Sequence, residues 1–304
     1  MLGVATDARH LVGEGAHLLE DDRAVAPRQA AGQPLARIVR MPDIKFPGKN
    51  QYPSIPVHID TMPEDQALVI SVDFTPDTRA ELQPMVIAML RHGFATKRRV
   101  GMLCMQLYGL GLGEEALQQV AAEFNEHATS HEDSIINGED YVFWGWTIPL
   151  LTVMLGMGER ITNVFPVDYY GNRTESLPIT PYIRNYDDIG ILVSVAASAI
   201  PRSWINYAQV QFGVHLGCGI TAVSAADFYP YVNSGQFTGM LAGMKGAAEY
   251  EELLDAKMVE RGADWGLRRK GTEAMSSQTA AHLAIMAFIV IGNIAYFVTR
   301  RRKS

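Results

Sequence analysis

Cysteine is nearly absent from this chain of 304 residues: only Cys104 and Cys218 occur, far apart and among apolar neighbours. A lone pair makes neither a disulfide framework nor metal-ligand spacing, so two buried free thiols are expected. Basic stretches interleaved with aromatics are missing before the C-terminus, and the formal net charge is −7. Phosphate binding needs a basic surface, which excludes nucleic acid as a main partner. Residues 1–22 lack the basic start and unbroken apolar core of a secretion signal. Position 2 is Leu2 and not glycine, so myristoylation is not signalled.

Catalytic signatures are missing as well. The run Gly109-Leu-Gly-Leu-Gly113 has neither dinucleotide-fingerprint spacing nor a Gly-Lys-Ser/Thr ending. It offers at most the amides of a helix start to an anion, and ordinary turn chemistry explains it equally. His127 and His131 stand at i,i+4, but Ala128 occupies the place where a zinc protease needs its glutamate. A solvated acidic loop through Glu132 and Asp133 is the better reading. No metal site is expected and no cofactor is indicated. The sequon Asn172-Arg-Thr174 matters only for an exported domain.

What is present is an organising element at the far end. Residues 279–298 carry no formal charge with His282 neutral, and Arg300-Arg301-Arg302-Lys303 follow at once. At about 1.5 Å per residue, twenty helical residues just cross a bilayer core of roughly 30 Å. Four cations would then hold the end in a headgroup layer. A buried core helix would need neither so even an apolar surface nor so abrupt a basic stop. A single-pass, tail-anchored membrane protein is expected, with its globular part on the cytosolic side. The basic residues flanking the run, Arg261, Arg268, Arg269 and Lys270 before it and four after it, do not decide the orientation.

The rest is 48% hydrophobic and 19% charged overall, enough apolar material for a real core. Residues 1–50 read as a flexible arm, rich in Ala, Arg, Gln, Gly and Pro between Ala24 and Pro34. Apolar runs at 67–74, 99–105, 140–145, 189–196 and 214–220 read as strands, the first buried on both faces. Between them lie helical patterns: one from residue 77 or 78, where Asp77 or Thr78 can cap it, to His92 and closed by Gly93. Others cover 111–124, 148–164, 201–211 and 235–254. The charge-free stretch 141–158 is long enough for a second span, but Gly145, Pro149, Gly156 and Gly158 divide it into strand plus helix. Strands alternating with helices imply an α/β fold, a Rossmann-like three-layer domain with a mostly parallel sheet, plus one C-terminal transmembrane helix. The expected division is arm 1–50, α/β domain 51–256, charged stalk 257–278, span 279–298 and basic tail 299–304.

In such a sheet, ligands bind beyond the carboxyl ends of the strands, where the strand order reverses. That rule selects Asp73, Thr75 and Asp77, then Gln106, then Trp146 and Thr147, then Ser198 and Arg202, then Thr221 and Ser224. Asp73, Thr75 and Ser224 are the catalytic candidates; Asp77, Gln106, Ser198, Arg202, Thr221 and Lys245 are the ligand-binding ones. A carboxylate at a strand tip can hold magnesium, attack as a nucleophile or orient a hydroxyl. Thr75 stands where a dehalogenase-like phosphotransferase needs a second acid, so capping by Asp73 and Asp77 is the competing reading. Cys218 lacks a base on its own side of the strand. Gly235, Gly239, Gly243 and Ala247 recur every four residues, a smooth helical stripe with Tyr229, Tyr231 and Phe237 beside it. This stripe is the candidate interaction surface for a protein partner. Two functions follow: a membrane-anchored binding or assembly module, or a membrane-tethered enzyme or nucleotide- or metal-binding domain.

Overall fold

A computed structural model describes residues 54–260, 265 and 268–303. The arm expected over 1–50 lies outside them. The elements run α1 (Ile55–Thr61), β1 (Ala67–Asp73), α2 (Arg79–Ala95), β2 (Val100–Cys104), α3 (Gly109–His127) and β3 (Tyr141–Trp146). Then come α4 (Leu150–Glu159), α5 (Ile161–Val164), β4 (Ile189–Ala196), α6 (Ile200–Trp204), a π-helical stretch (Ile205–Gln209) and α7 (Val210–Phe212). The chain continues through β5 (Leu216–Ile220), α8 (Ala225–Asn233), β6 (Gly239–Ala242), α9 (Gly243–Glu260) and α10 (Lys270–Lys303).

All six strands are parallel, in the order β3-β2-β1-β4-β5-β6. This is the doubly wound Rossmann order, and its direction of winding reverses between β1 and β4. β1, β2, β4 and β5 are buried along their whole length, because helices cover both faces of the sheet. Leu68, Ile70 and Val72 of β1 face the layer of α1, α2, α3 and α9. Ala67 and Val69 face the layer that includes α4, α6 and α8. The stretch 141–158 divides into β3 and α4, as its glycines and proline suggest.

Helix α2 lies at the centre of the first layer. Every residue from Leu82 to Phe94 is buried, because the sheet, α3, α9 and the start of α10 surround it. Gln83, Arg91 and His92 nevertheless each make hydrogen bonds. Gln83 donates to the Leu112 carbonyl at 2.9 Å, and His92 bridges the Tyr250 hydroxyl at 2.9 Å and Asp60 at 3.0 Å. Arg91 grips both carboxylate oxygens of Glu123 at 2.8 Å. Gly93 does not end the helix. A Cβ there would lie 2.9 Å from Val100, so glycine serves the close approach of α2 to β2, and the helix continues to Ala95.

The region after β5 corrects the expected helix over 235–254. Gly235 turns at φ 76°, Gly239 opens β6 and Gly243 starts α9 at φ 58°. The four-residue recurrence thus spans a turn, a strand and a helix, and the small residues do not share one helical face. The pattern 148–164 is likewise two helices, α4 and α5, broken at Arg160.

Helix α10 runs unbroken for 34 residues. Its stretch Lys270–Phe297 is long and apolar enough to cross a membrane, with a mean hydropathy of 1.9 over its most apolar part, which buries nothing against the other described residues. The first turn is held by the body. Glu251, 2% exposed, accepts the Gly271 amide at 2.9 Å, the Thr272 amide at 3.1 Å and the Thr272 hydroxyl at 3.2 Å. A carboxylate among the free amides of a helix N-terminus is favourable both as a cap and against the helix dipole. Arg91 holds the Arg268 carbonyl at 3.0 Å, Lys270 reaches Gln119 at 2.6 Å, and Arg269 pairs with Asp255. Residues 270–278, expected within a stalk, are therefore the opening turns of α10, and Gly271 is buried against Ala247.

Candidate functional site

The winding reversal between β1 and β4 places Asp73 at the point where this fold type binds ligands. Asp73 closes β1 opposite Ala196, and its side chain is fully buried. Side chains two apart on a strand share a face, which brings Ser71 alongside; the Ser71 hydroxyl donates to Oδ2 at 2.5 Å. The other oxygen takes the Met105 amide at 2.5 Å, and the Gln106 amide adds a further bond. Ser194, paired with Ser71 in the β1–β4 register, acts on the carboxylate electrostatically without reaching hydrogen-bond geometry.

Burial raises the Asp73 pKa from its ordinary 3.8 to about 7, against the opposing pull of Ser71, the two amides and Ser194. Desolvation wins because the carboxylate has exchanged water for a few fixed dipoles. Cys104 is buried nearby; burial and the Asp73 charge push its thiol well above the usual range. Cys218 is also free and buried, with its pKa raised by burial alone. Neither thiol has the exposed, electropositive surroundings of a reactive cysteine.

The remaining candidates make contacts of their own. Neither Asp77 nor Thr78 makes a side-chain cap to α2; Asp77 instead takes the Thr75 hydroxyl within the short turn Pro76–Thr78. Asp73 is no cap of α2 either, since its amides come from the connection after β2. Gln106 meets Asp73 through its backbone. Ser198 accepts the Ile200 amide at 3.4 Å where α6 begins. Arg202 stands over the Phe228 ring at 5.2 Å. Thr221 and Ser224 join hydroxyls at 3.0 Å beyond β5. β5, which carries Thr221 and Ser224 at its end, is separated from β1 by β4. Lys245 is exposed and pairs with Glu249 at 3.5 Å. Tyr229 is exposed, while Tyr231 packs against Phe228 and the buried Phe237.

A residue outside the expected set completes the picture. Glu81, in the first turn of α2, accepts the Ala222 amide at 2.8 Å where the chain leaves β5. Two connections at the carboxyl end thus spend backbone amides on the protein's own carboxylates: Met105 and Gln106 on Asp73, Ala222 on Glu81. A third, after β1, carries the Asp77 carboxylate and buried Phe74 where a dinucleotide fold has glycines and a pyrophosphate. No family model matches the chain, and no curated protein or solved structure matches it either. The functional reading therefore rests on the geometry. At the carboxyl end, Asp73 and Glu81 accept backbone amides of the strand-end connections.

Proposed function

We propose that the chain is a membrane-anchored α/β module that binds or assembles with other proteins, with α10 as its span and the body on the cytosolic side. The observation that carries this reading is the use of Asp73 and Glu81 as internal acceptors for the amides of the strand-end connections. A nucleotide arriving there would have to displace a carboxylate of the same charge sign. The apolar part of α10, exposed among the described residues, is the proposed anchor. Body 51–256, span 279–298 and tail 299–304 remain the working division, with α10 entering the body as a docked helix.

One observation favours a second reading. A carboxylate with a pKa of about 7 at the switch point is the kind of group that enzymes use as acid, base or metal ligand. On that reading Asp73, with Thr75 and Ser224 nearer the rim, would serve a nucleotide- or metal-dependent reaction. Thermal denaturation of the full chain in detergent, with and without magnesium and a nucleotide panel, separates the two. The module reading expects no rise in Tm; a rise that disappears in Asp73→Asn establishes the second. Native electrophoresis of the gently extracted chain should in addition show a species larger than the monomer. Protease protection with a tag at each terminus tests the cytosolic placement: cleavage of the body from the cytosolic side supports it, and protection reverses it.

A further inference from the structure

The path of the chain into α10 has a direction. Helix α9 starts at the carboxyl end of the sheet with Gly243, directly after β6, and runs toward the amino end. The returning chain passes these levels in reverse. Trp265 stacks on His127 and meets Phe124 edge-on near the end of α3; Arg269 pairs with Asp255; Gly271 lies against Ala247. From Asp255 to Ala247 is eight residues, about 12 Å along α9 toward the carboxyl end. Only four more residues, about 6 Å, separate Ala247 from the start of α9. Ala274 and Met275 are still half-buried, and every described side chain from Ser276 onward is exposed. Continuing this line, the charge-free run from Thr279 begins about 12 Å beyond Gly271, just past the ends of the strands.

The loops at that same end carry a run of exposed apolar side chains. Leu107 and Tyr108 follow β2, Trp146 ends β3 and Ile148 follows it, Leu151 lies in the first turn of α4, and Val223 follows β5. Ile148 is 67% exposed and Val223 89%. Tyrosine and tryptophan among aliphatic side chains is the composition of a membrane–water boundary, where amphipathic rings sit at headgroup depth.

We propose that this carboxyl-end surface rests in the headgroup layer of the bilayer that α10 crosses, so that the domain touches the membrane twice. The proposal depends on the reading of α10 as a span. The lipid contact is apolar in character. Asp77, Glu81, Glu114, Glu115 and Asp227 outnumber Arg79, Arg202 and Lys245 near this end, so attraction to anionic lipid plays no part. The ends of β1 and β4, with Asp73 beneath them, would then open toward lipid and not toward bulk water.

The test uses the full chain in phosphatidylcholine vesicles, with an environment-sensitive fluorophore on single added cysteines. Leu107→Cys and Val223→Cys report the proposed surface; Tyr182→Cys, exposed beside Arg99 at the opposite end, is the reference; Ala287→Cys reports the span. The native thiols are buried, and the unaltered chain gives their background. Lipids spin-labelled near the headgroup should quench the labels at 107 and 223 but not at 182, and deep-labelled lipids should quench 287. If 287 is quenched while 107 and 223 behave like 182, the surface proposal falls and the anchor stands. If 287 is not quenched, both fall. Quenching at 107 and 223 that appears only with anionic lipid would overturn the apolar basis of the contact.

Discussion

The two ends of the sheet use charge in opposite ways. At the amino end, charged groups face outward and satisfy one another. Arg184 forks onto Asp188 with two bonds of 2.8 Å just before β4, Lys97 approaches Asp133, and Arg99 lies 3.5 Å above the Tyr182 ring. At the carboxyl end, buried Asp73 and half-buried Glu81 accept backbone amides, and Leu107, Ile148 and Val223 are left outside. Such ion pairs at the amino end contribute little stability in water and keep the surface soluble. A carboxylate buried on amides fixes loop geometry at a cost in desolvation. Charged groups at the amino end pair with one another; at the carboxyl end two carboxylates accept loop amides beside exposed apolar side chains.

The largest expected effect tests the inward carboxylate. The pKa of Asp73 is higher folded than unfolded, so the folded state binds the proton more tightly between about pH 4 and 7. Its contribution is therefore fully present below about pH 4, declines as pH rises toward 7 and is level above. Three units at about 1.4 kcal/mol each set an upper bound of about 4 kcal/mol. Urea denaturation of wild type and Asp73→Asn from pH 5 to 8 should show this decline only in the wild type. Parallel slopes would mean that Asp73 is ionised throughout.

Next comes the close packing beneath that end. A Cβ on Gly109 would fall 2.0 Å from the Val72 carbonyl oxygen, whereas Gly111, two residues on, has nothing within 4 Å. Gly109→Ala should cost about 1–3 kcal/mol by forcing α3 away from β1. Gly111→Ala should gain up to about 1 kcal/mol from helix propensity alone. Equal effects would remove the case for a tightly packed carboxyl end.

Glu251→Ala removes the acceptor for two amides of α10 and should cost about 1–2 kcal/mol. More telling is the vesicle experiment: lipid quenching at position 107 should weaken while that at 287 persists, because the helix still spans but no longer fixes the body. The smallest effect belongs to the amino end. Arg184→Ala should change Tm little, since the arginine side chain is open to water and the Arg184 amide remains as a partner of Asp188.

Five strands of the sheet are legible in the sequence because each is a short apolar run between turn signals, and β4 is found at its observed bounds, Ile189–Ala196. β6 is not legible. Its four residues, Gly239–Ala242, sit inside glycines spaced every four, a spacing that imitates one face of a helix. Gly93 misleads for a related reason: a glycine near a helix end looks like a stop, and only the three-dimensional approach of Val100 reveals its use in packing. Asp73 is visible as a strand-tip carboxylate, and Ser71 follows from the two-residue period. Ser194 and the amides of Met105 and Gln106 are not visible, because they reach Asp73 only once the strand order is known. Glu81 and Glu251 read as ordinary surface acids on helices; their roles depend on which chain segment returns beside them.

The grip of Glu251 on the start of α10 bears on how such a chain would meet others in a bilayer. A globule on a loose tether samples every tilt and rotation, and each encounter must find one productive orientation among them. A body clamped to its own helix moves only in the plane and about one axis. Copies or partners would then meet with much of the orientational entropy of association already surrendered. A modest patch could suffice for assembly, and lengthening the segment between Glu260 and Lys270 should matter less than loosening the first turn of α10.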